Sequence, residues 1–124
     1  MGYRSEVVLV VGKEVMPQFM VTMAKCREAR ALCWDGADDR VMNYAEEGSI
    51  LFRWEYVKWY DSYEEIRAIE DFLDWCECED IDVDGDTHAA MDFFRFVRLG
   101  EETDDTEVRG HGFWDVGVAR SIEY

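Results

Sequence analysis

Positive charge is scarce in this chain of 124 residues: 13 lysines and arginines face 29 aspartates and glutamates, a formal net charge of −16. A surface that acidic repels phosphate backbones and anionic lipid, which argues against direct nucleic-acid or membrane binding. Long apolar runs are missing as well, none approaching the roughly 18–20 residues that cross a bilayer. The opening MGYRSEVVLVVGKE lacks the basic, apolar, small-residue order of a secretory signal, so an intracellular protein is expected. Histidine is limited to His88 and His111, and no G-x-S-x-G, H-E-x-x-H or phosphate-binding glycine loop after a strand occurs. Without such a constellation no enzyme is expected.

A cysteine framework is missing too. Cys76 and Cys78 have no second pair to complete a zinc site with a histidine, and their C-x-C spacing departs from the usual C-x₂₋₄-C. Cys26 and Cys33 fall on one face of a predicted helix, but two turns separate them, too far for a disulfide. Four reduced thiols are expected.

What is present is apolar and aromatic. At 48% hydrophobic and 15% aromatic residues, the chain escapes the low hydrophobicity that must accompany high charge for disorder. One domain over residues 1–124, with no repeat or linker, can hold a single core at this length.

Tyr3 to Val11 reads as a β-branched strand covered on both faces or sitting mid-sheet, ending at Gly12. From Glu14 to Trp34, Val15, Met16, Phe19, Met23, Cys26 and Cys33 share one helical arc, with Pro17 in the first turn where its missing donor is harmless. Val41 to Glu46 and Ile50 to Tyr60 form a predicted hairpin. Ser62 and Glu65 have capping-box spacing, opening a second helix buried through Ile66, Ile69, Phe72, Leu73 and Cys76. Met91 to Leu99 and Phe113 to Ile122 alternate as strands, the latter through Val116, Val118, Arg120 and Ile122, around an exposed turn at Gly100 to Thr106. The order β-α-β-β-α-β-β predicts an α+β fold, two helices on one face of a mostly antiparallel sheet of four to five strands, in the ferredoxin-like manner.

Asp61 to Asp92 gathers thirteen carboxylates against one arginine, a net of twelve negative charges in about a quarter of the chain. On the helix, carboxylates three and four apart sit about 5–6 Å from one another, comparable with phosphates along a strand. The late acids oppose the helix dipole, so local stability does not explain them. Glu64, Glu70, Asp71, Asp74, Glu77, Glu79 and Asp80, with Trp75 as a desolvated anchor, are therefore candidate contacts for a basic partner. Trp59 and Tyr63 are further candidate anchors. Beyond the helix, Asp80-x-Asp82-x-Asp84-Gly85 matches the first half of an EF-hand loop, and Asp86 extends the set, so Asp80, Asp82, Asp84 and Asp86 are candidate calcium ligands. The second half departs from that pattern: its twelfth position is Met91 and its eighth is Thr87.

Gly2-Tyr3-Arg4-Ser5-Glu6-Val7, the block Trp54 to Tyr60, the helix Glu64 to Leu73 and the segment Phe96 to Glu101 carry a resemblance. In these stretches the chain resembles small acidic proteins of tailed bacteriophages that open with G-Y-R-S-D/E-V, a group mostly without assigned activity. The resemblance implies a phage accessory protein in the cytoplasm of a host bacterium. Small acidic phage proteins often block defences such as CRISPR or restriction systems, so an inhibitor that imitates nucleic acid before a basic protein or ribonucleoprotein is expected. The resemblance implies no catalytic residues and does not cover the Asp80–Asp86 stretch. A structural or oligomeric phage component is the other expectation, with Tyr44, Trp54, Tyr56 and Phe93 to Leu99 as aromatic surface for a homodimer.

Overall fold

The computed structural model describes residues 3–102, 104–118 and 122–123. Its centre is β1 (Ser5–Val11), hydrogen-bonded on one side to β3 (Ile50–Val57) and on the other to β6 (Phe94–Leu99), both antiparallel. β2 (Asp39–Met42) extends the sheet beyond β3, and β7 (Thr106–Arg109) extends it beyond β6, giving the order β2-β3-β1-β6-β7. The first four of these strands reproduce the ferredoxin-like order, and β7 is an addition at the edge.

The helices are α1 (Met16–Lys25), α2 (Arg27–Trp34) and α3 (Glu64–Cys78). Their apolar stripes meet alternate residues of the central strands: Val7, Leu9 and Val11 from β1, Phe52 and Trp54 from β3, Phe94 and Phe96 from β6. Phe19 of α1 touches Phe52 and Phe72 at 5.6 and 5.1 Å between ring centroids, which ties helices to sheet. Burying each such ring contributes about 1.5–3 kcal/mol. The other face of β1 is buried too, Val8 and Val10 packing with Leu51, Val97 and Val116. That double coverage explains the unbroken Val/Leu run of β1.

The single helix expected from Glu14 to Trp34 is two helices. Cys26 stands between them in extended backbone (φ −134°, ψ 102°) with no proline or glycine to mark it. An unbroken helix of that length would run about 30 Å, longer than the strands beneath it; the bend lets both halves stay on the sheet. The expected capping box is not formed either: α3 starts from Tyr63 with no side-chain cap. Phe113 to Ile122 is not one strand. Turns occupy Phe113 to Asp115, and only β8 (Gly117–Val118) and β9 (Ile122–Glu123) pair. Arg120, the side chains of Val118 and Ile122, and Gly2 and Thr103 lie outside the described residues.

The aromatic dimer surface is largely internal. Trp54 is 2% exposed and donates its indole N–H to Leu32 O at 3.0 Å, while Phe94 and Phe96 point into the core. Tyr56 stays exposed. Among the described residues no helix is long and apolar enough to cross a membrane.

All four cysteines are free. Cys76 is buried and Cys78 exposed, on different sides of α3, so they do not converge on a metal. Burial pushes the thiols of Cys33 and Cys76 up to about 12. At neutral pH a thiol reagent is therefore expected to label Cys78 promptly in the native protein, and all four cysteines only after unfolding. Rapid native labelling of a second thiol, read by mass spectrometry, would contradict this packing.

Candidate acidic interaction surface

The carboxylates of α3 divide into two sets. Glu70, Asp74 and Glu77 project along one flank of the helix towards β7, where Glu107 and Arg109 occupy the inward side of an alternating T-E-V-R strand. The Arg109 guanidinium bonds all three: Glu70 at 2.5 Å, Asp74 at 2.6 Å, and Glu77. Its side chain is only 12% exposed. Glu70 also accepts the indole N–H of Trp59 at 2.9 Å.

Two opposing shifts mark this clamp. Burial raises the pKa of Glu70, with Glu107 adding to the effect and the bonds from Trp59 and Arg109 opposing it. Burial works against the charge of Arg109, but the bonds to Glu77 and Asp74 outweigh it and its pKa rises. The two fit together because one guanidinium is shared among three carboxylates, so no single acid receives full compensation.

Gly110 follows Arg109 in the chain, with φ at +91° and a position where a Cβ would lie 2.2 Å from Phe94 O. Only glycine fits this turn out of β7 without displacing backbone.

Arginine gathers acids elsewhere on the sheet as well. Arg53 meets Glu6, Asp39 and Glu55 at 3.4, 2.9 and 2.9 Å. Arg98 meets Asp105 at 2.8 Å and Glu107 at 3.3 Å. The bond from Arg98, with one from Tyr3, holds the Asp105 carboxyl down at about 2. Tyr3, Trp59, Tyr60, Glu70, Arg98 and Asp105 line an open groove of about 540 Å³ there.

The remaining acids have another setting. Asp80 to Asp86 is not the loop expected from the sequence but a hairpin of β4 (Asp80–Val83) and β5 (Asp86–Ala89). Asp84 (φ 54°) and Gly85 (φ 89°) form its two-residue turn, the Asp-Gly pair that a type I′ hairpin favours. Ile81 packs on the main core, so the neighbouring Asp80 and Asp82 face outward. Thr87 donates to Asp82 across the ribbon at 3.3 Å. The ribbon spreads along a strand the carboxylates that a calcium loop would fold around one point. Among the described residues no group of three His, Cys, Asp or Glu is placed to hold a metal.

Of the candidate contacts, then, Glu70, Asp74 and Glu77 are bound to Arg109, and Trp75 is half-buried against the core. Trp59 is likewise buried. Tyr63 is exposed at the start of α3, away from the hairpin. Glu64 and Asp71 are exposed on α3, and Glu79 and Asp80 are exposed where the helix passes into the hairpin. Glu79, Asp80, Asp82, Asp84 and Asp86 have no ion-pair partner among the described residues. Sequence reasoning missed Arg109 because its strand lay inside a segment assigned to no element. The alternation of Thr106 and Val108 with Glu107 and Arg109 was the available signal.

No known family model, no curated protein and no solved structure matches this chain.

Proposed function

We propose that this protein acts by binding, with the β4–β5 ribbon presenting its carboxylates to a basic surface of a nucleic-acid-handling protein or ribonucleoprotein. The observation that carries this reading is the contrast in pairing. Eight acids of the body collect around Arg53, Arg98 and Arg109, whereas the five carboxylates from Glu79 to Asp86, close together on one ribbon, have no ion-pair partner among the described residues. Bare charge on a projecting ribbon steers a basic partner and orients it on arrival. Imitation of nucleic acid in a phage-encoded inhibitor of host defence is the biological setting we propose, supported by the resemblance to small acidic phage proteins.

Salt tests it. Immobilised protein should capture components from the heparin-retained fraction of a bacterial lysate at about 50 mM salt and release them by about 500 mM, where the screening length has fallen to a few ångströms. Capture that persists or strengthens at high salt would point to apolar contact and sink the electrostatic reading.

A further inference from the structure

The chain contains two Asp-Gly pairs, Asp35-Gly36 and Asp84-Gly85, and the fold treats them differently. An aspartyl side chain followed by a glycyl nitrogen is the pairing most open to ring closure along a peptide chain, because no side chain shields the nitrogen and its backbone turns freely. How firmly the surrounding backbone is held then decides whether the ring forms.

Asp35-Gly36 is held. Asp35 closes α2, and its N–H and that of Gly36 both donate to Ala31 O, at 2.8 and 2.9 Å. A Cβ on Gly36 would lie 3.0 Å from Leu32 O, so the main chain is folded back against the last turn of the helix. The nitrogen that would attack is engaged, and freeing it means unwinding the end of a helix that buries Cys33.

Asp84-Gly85 is not held in this way. Both residues are exposed at the tip of the ribbon, and no heavy atom lies within 4 Å of where a Gly85 Cβ would sit. The β4–β5 ladder ends at the pair Val83 and Asp86, and Gly85 N–H has no acceptor among the described residues. Behind the tip the ribbon is lightly secured. It is a two-stranded sheet separate from the main one, every residue of β5 is exposed, and Ile81 is the side chain that packs on the core. A ribbon of two strands is marginal in water by itself, and such segments open locally far more often than a core does.

We propose that Asp84 is a site of spontaneous isoaspartate formation, a modification of the chain that needs neither enzyme nor cofactor. When the turn opens, the Gly85 nitrogen bonds to Asp84 Cγ. One carboxyl oxygen leaves as water, taking the amide hydrogen and the carboxyl proton, and a succinimide ring remains. Water then adds at the main-chain carbonyl carbon of Asp84 and breaks its bond to the Gly85 nitrogen. The chain now runs through Cβ and Cγ, one carbon longer, and the former main-chain carbonyl becomes a free carboxylate. One water is lost and one regained. A two-residue turn with Asp84 at φ 54° and Gly85 at φ 89° has no place for the extra carbon, so Val83 and Asp86 cease to pair. The chemistry stands apart from the function proposed above. Its consequence, a ribbon that presents its carboxylates less well as the protein ages, rests on that function.

The test incubates the native chain, and the same chain in guanidinium chloride, for several weeks at neutral pH. Isoaspartate at each site is read by electron-transfer fragmentation of peptides, and the succinimide by its loss of one water. In the native chain Asp84 should convert at least about tenfold faster than Asp35, and in denaturant the two should convert within about twofold of each other. Native conversion of Asp84 no faster than that of Asp35 overturns the proposal. So does the same bias persisting in denaturant, since sequence neighbours rather than the fold would then set it. The purified isoaspartyl chain should lose the cross-strand amide contacts between Val83 and Asp86 while those of β1 persist, and intact pairing would overturn the effect on the ribbon. Capture of a basic partner by freshly prepared protein reads the proposed function separately, so either can fail while the other stands.

Discussion

Replacing Arg109 with methionine is expected to lower the stability of the fold by about 2–4 kcal/mol, the range for removing one partner of a largely buried ion-pair cluster. The expected loss exceeds that of a surface salt bridge because the guanidinium is 12% exposed and Glu70 is 23% exposed, although Asp74, at 66%, adds little. Methionine keeps much of the packing volume, so the effect reads the charge. Without Arg109, Glu70, Asp74 and Glu77 are left on one flank of α3 facing Glu107, with no cation between them. For a domain of this size the change corresponds to a fall in melting temperature of roughly 10 °C. Adding Glu70→Gln and Glu77→Gln to the same chain should recover part of the loss, because those neutral groups no longer need the cation. Denaturant unfolding of the parent and both variants measures this directly. A loss below about 0.5 kcal/mol for Arg109→Met would show that the clamp is a surface contact of no consequence.

The second large effect concerns binding. Changing Asp80, Asp82, Asp84 and Asp86 together to asparagine should weaken capture of the basic partner at least about thirtyfold, since several steering charges disappear at once. The ribbon itself should persist. Asn-Gly is as good a type I′ turn as Asp-Gly, the Ile81 contact with the core is untouched, and the amide oxygen that replaces the Asp82 carboxylate can still accept from Thr87. Circular dichroism and melting temperature should therefore stay near those of the parent chain. Charge reversal at Glu70, Asp74 and Glu77, three of the candidate contacts on α3, is a poor test of binding. Those substitutions place lysines against Arg109 and would unfold the edge of the sheet before reporting on any partner.

Much of the fold was legible in the chain. The β-branched run of β1, the alternation of Phe52 with Trp54 and the buried arc of α3 each follow a period that survives into the structure, but the β3 alternation stops at Tyr56, which is exposed beside a shift in the β1–β3 register. The strand order follows from their succession. What was not legible has local causes. The break at Cys26 is imposed by the length of the sheet rather than by a helix-breaking residue. The hairpin at Asp80 resembles half a calcium loop because Asp-x-Asp-x-Asp-Gly suits either structure: the same alternation lines one face of a strand, and the same Asp-Gly turns it. Above all, β7 is a four-residue edge strand whose role lies in one long-range contact. Charge spacing along the chain does not distinguish Glu70, Asp74 and Glu77 from Glu64 and Asp71. The first three are held by an arginine more than thirty residues away, and only the folded chain brings it there.

Where negative charge is left bare, rather than how much there is, should govern binding. Two double variants of equal net charge separate these: Asp80→Asn with Asp82→Asn on the ribbon, and Glu64→Gln with Asp71→Asn on the exposed face of α3. Their affinities for a captured basic partner at about 100 mM salt, where charges further apart than about 10 Å are screened, should differ. The expected result is a marked loss for the ribbon pair and binding close to the parent for the helix pair. Equal losses in both would mean that total charge governs binding, and the ribbon would have no special part in it.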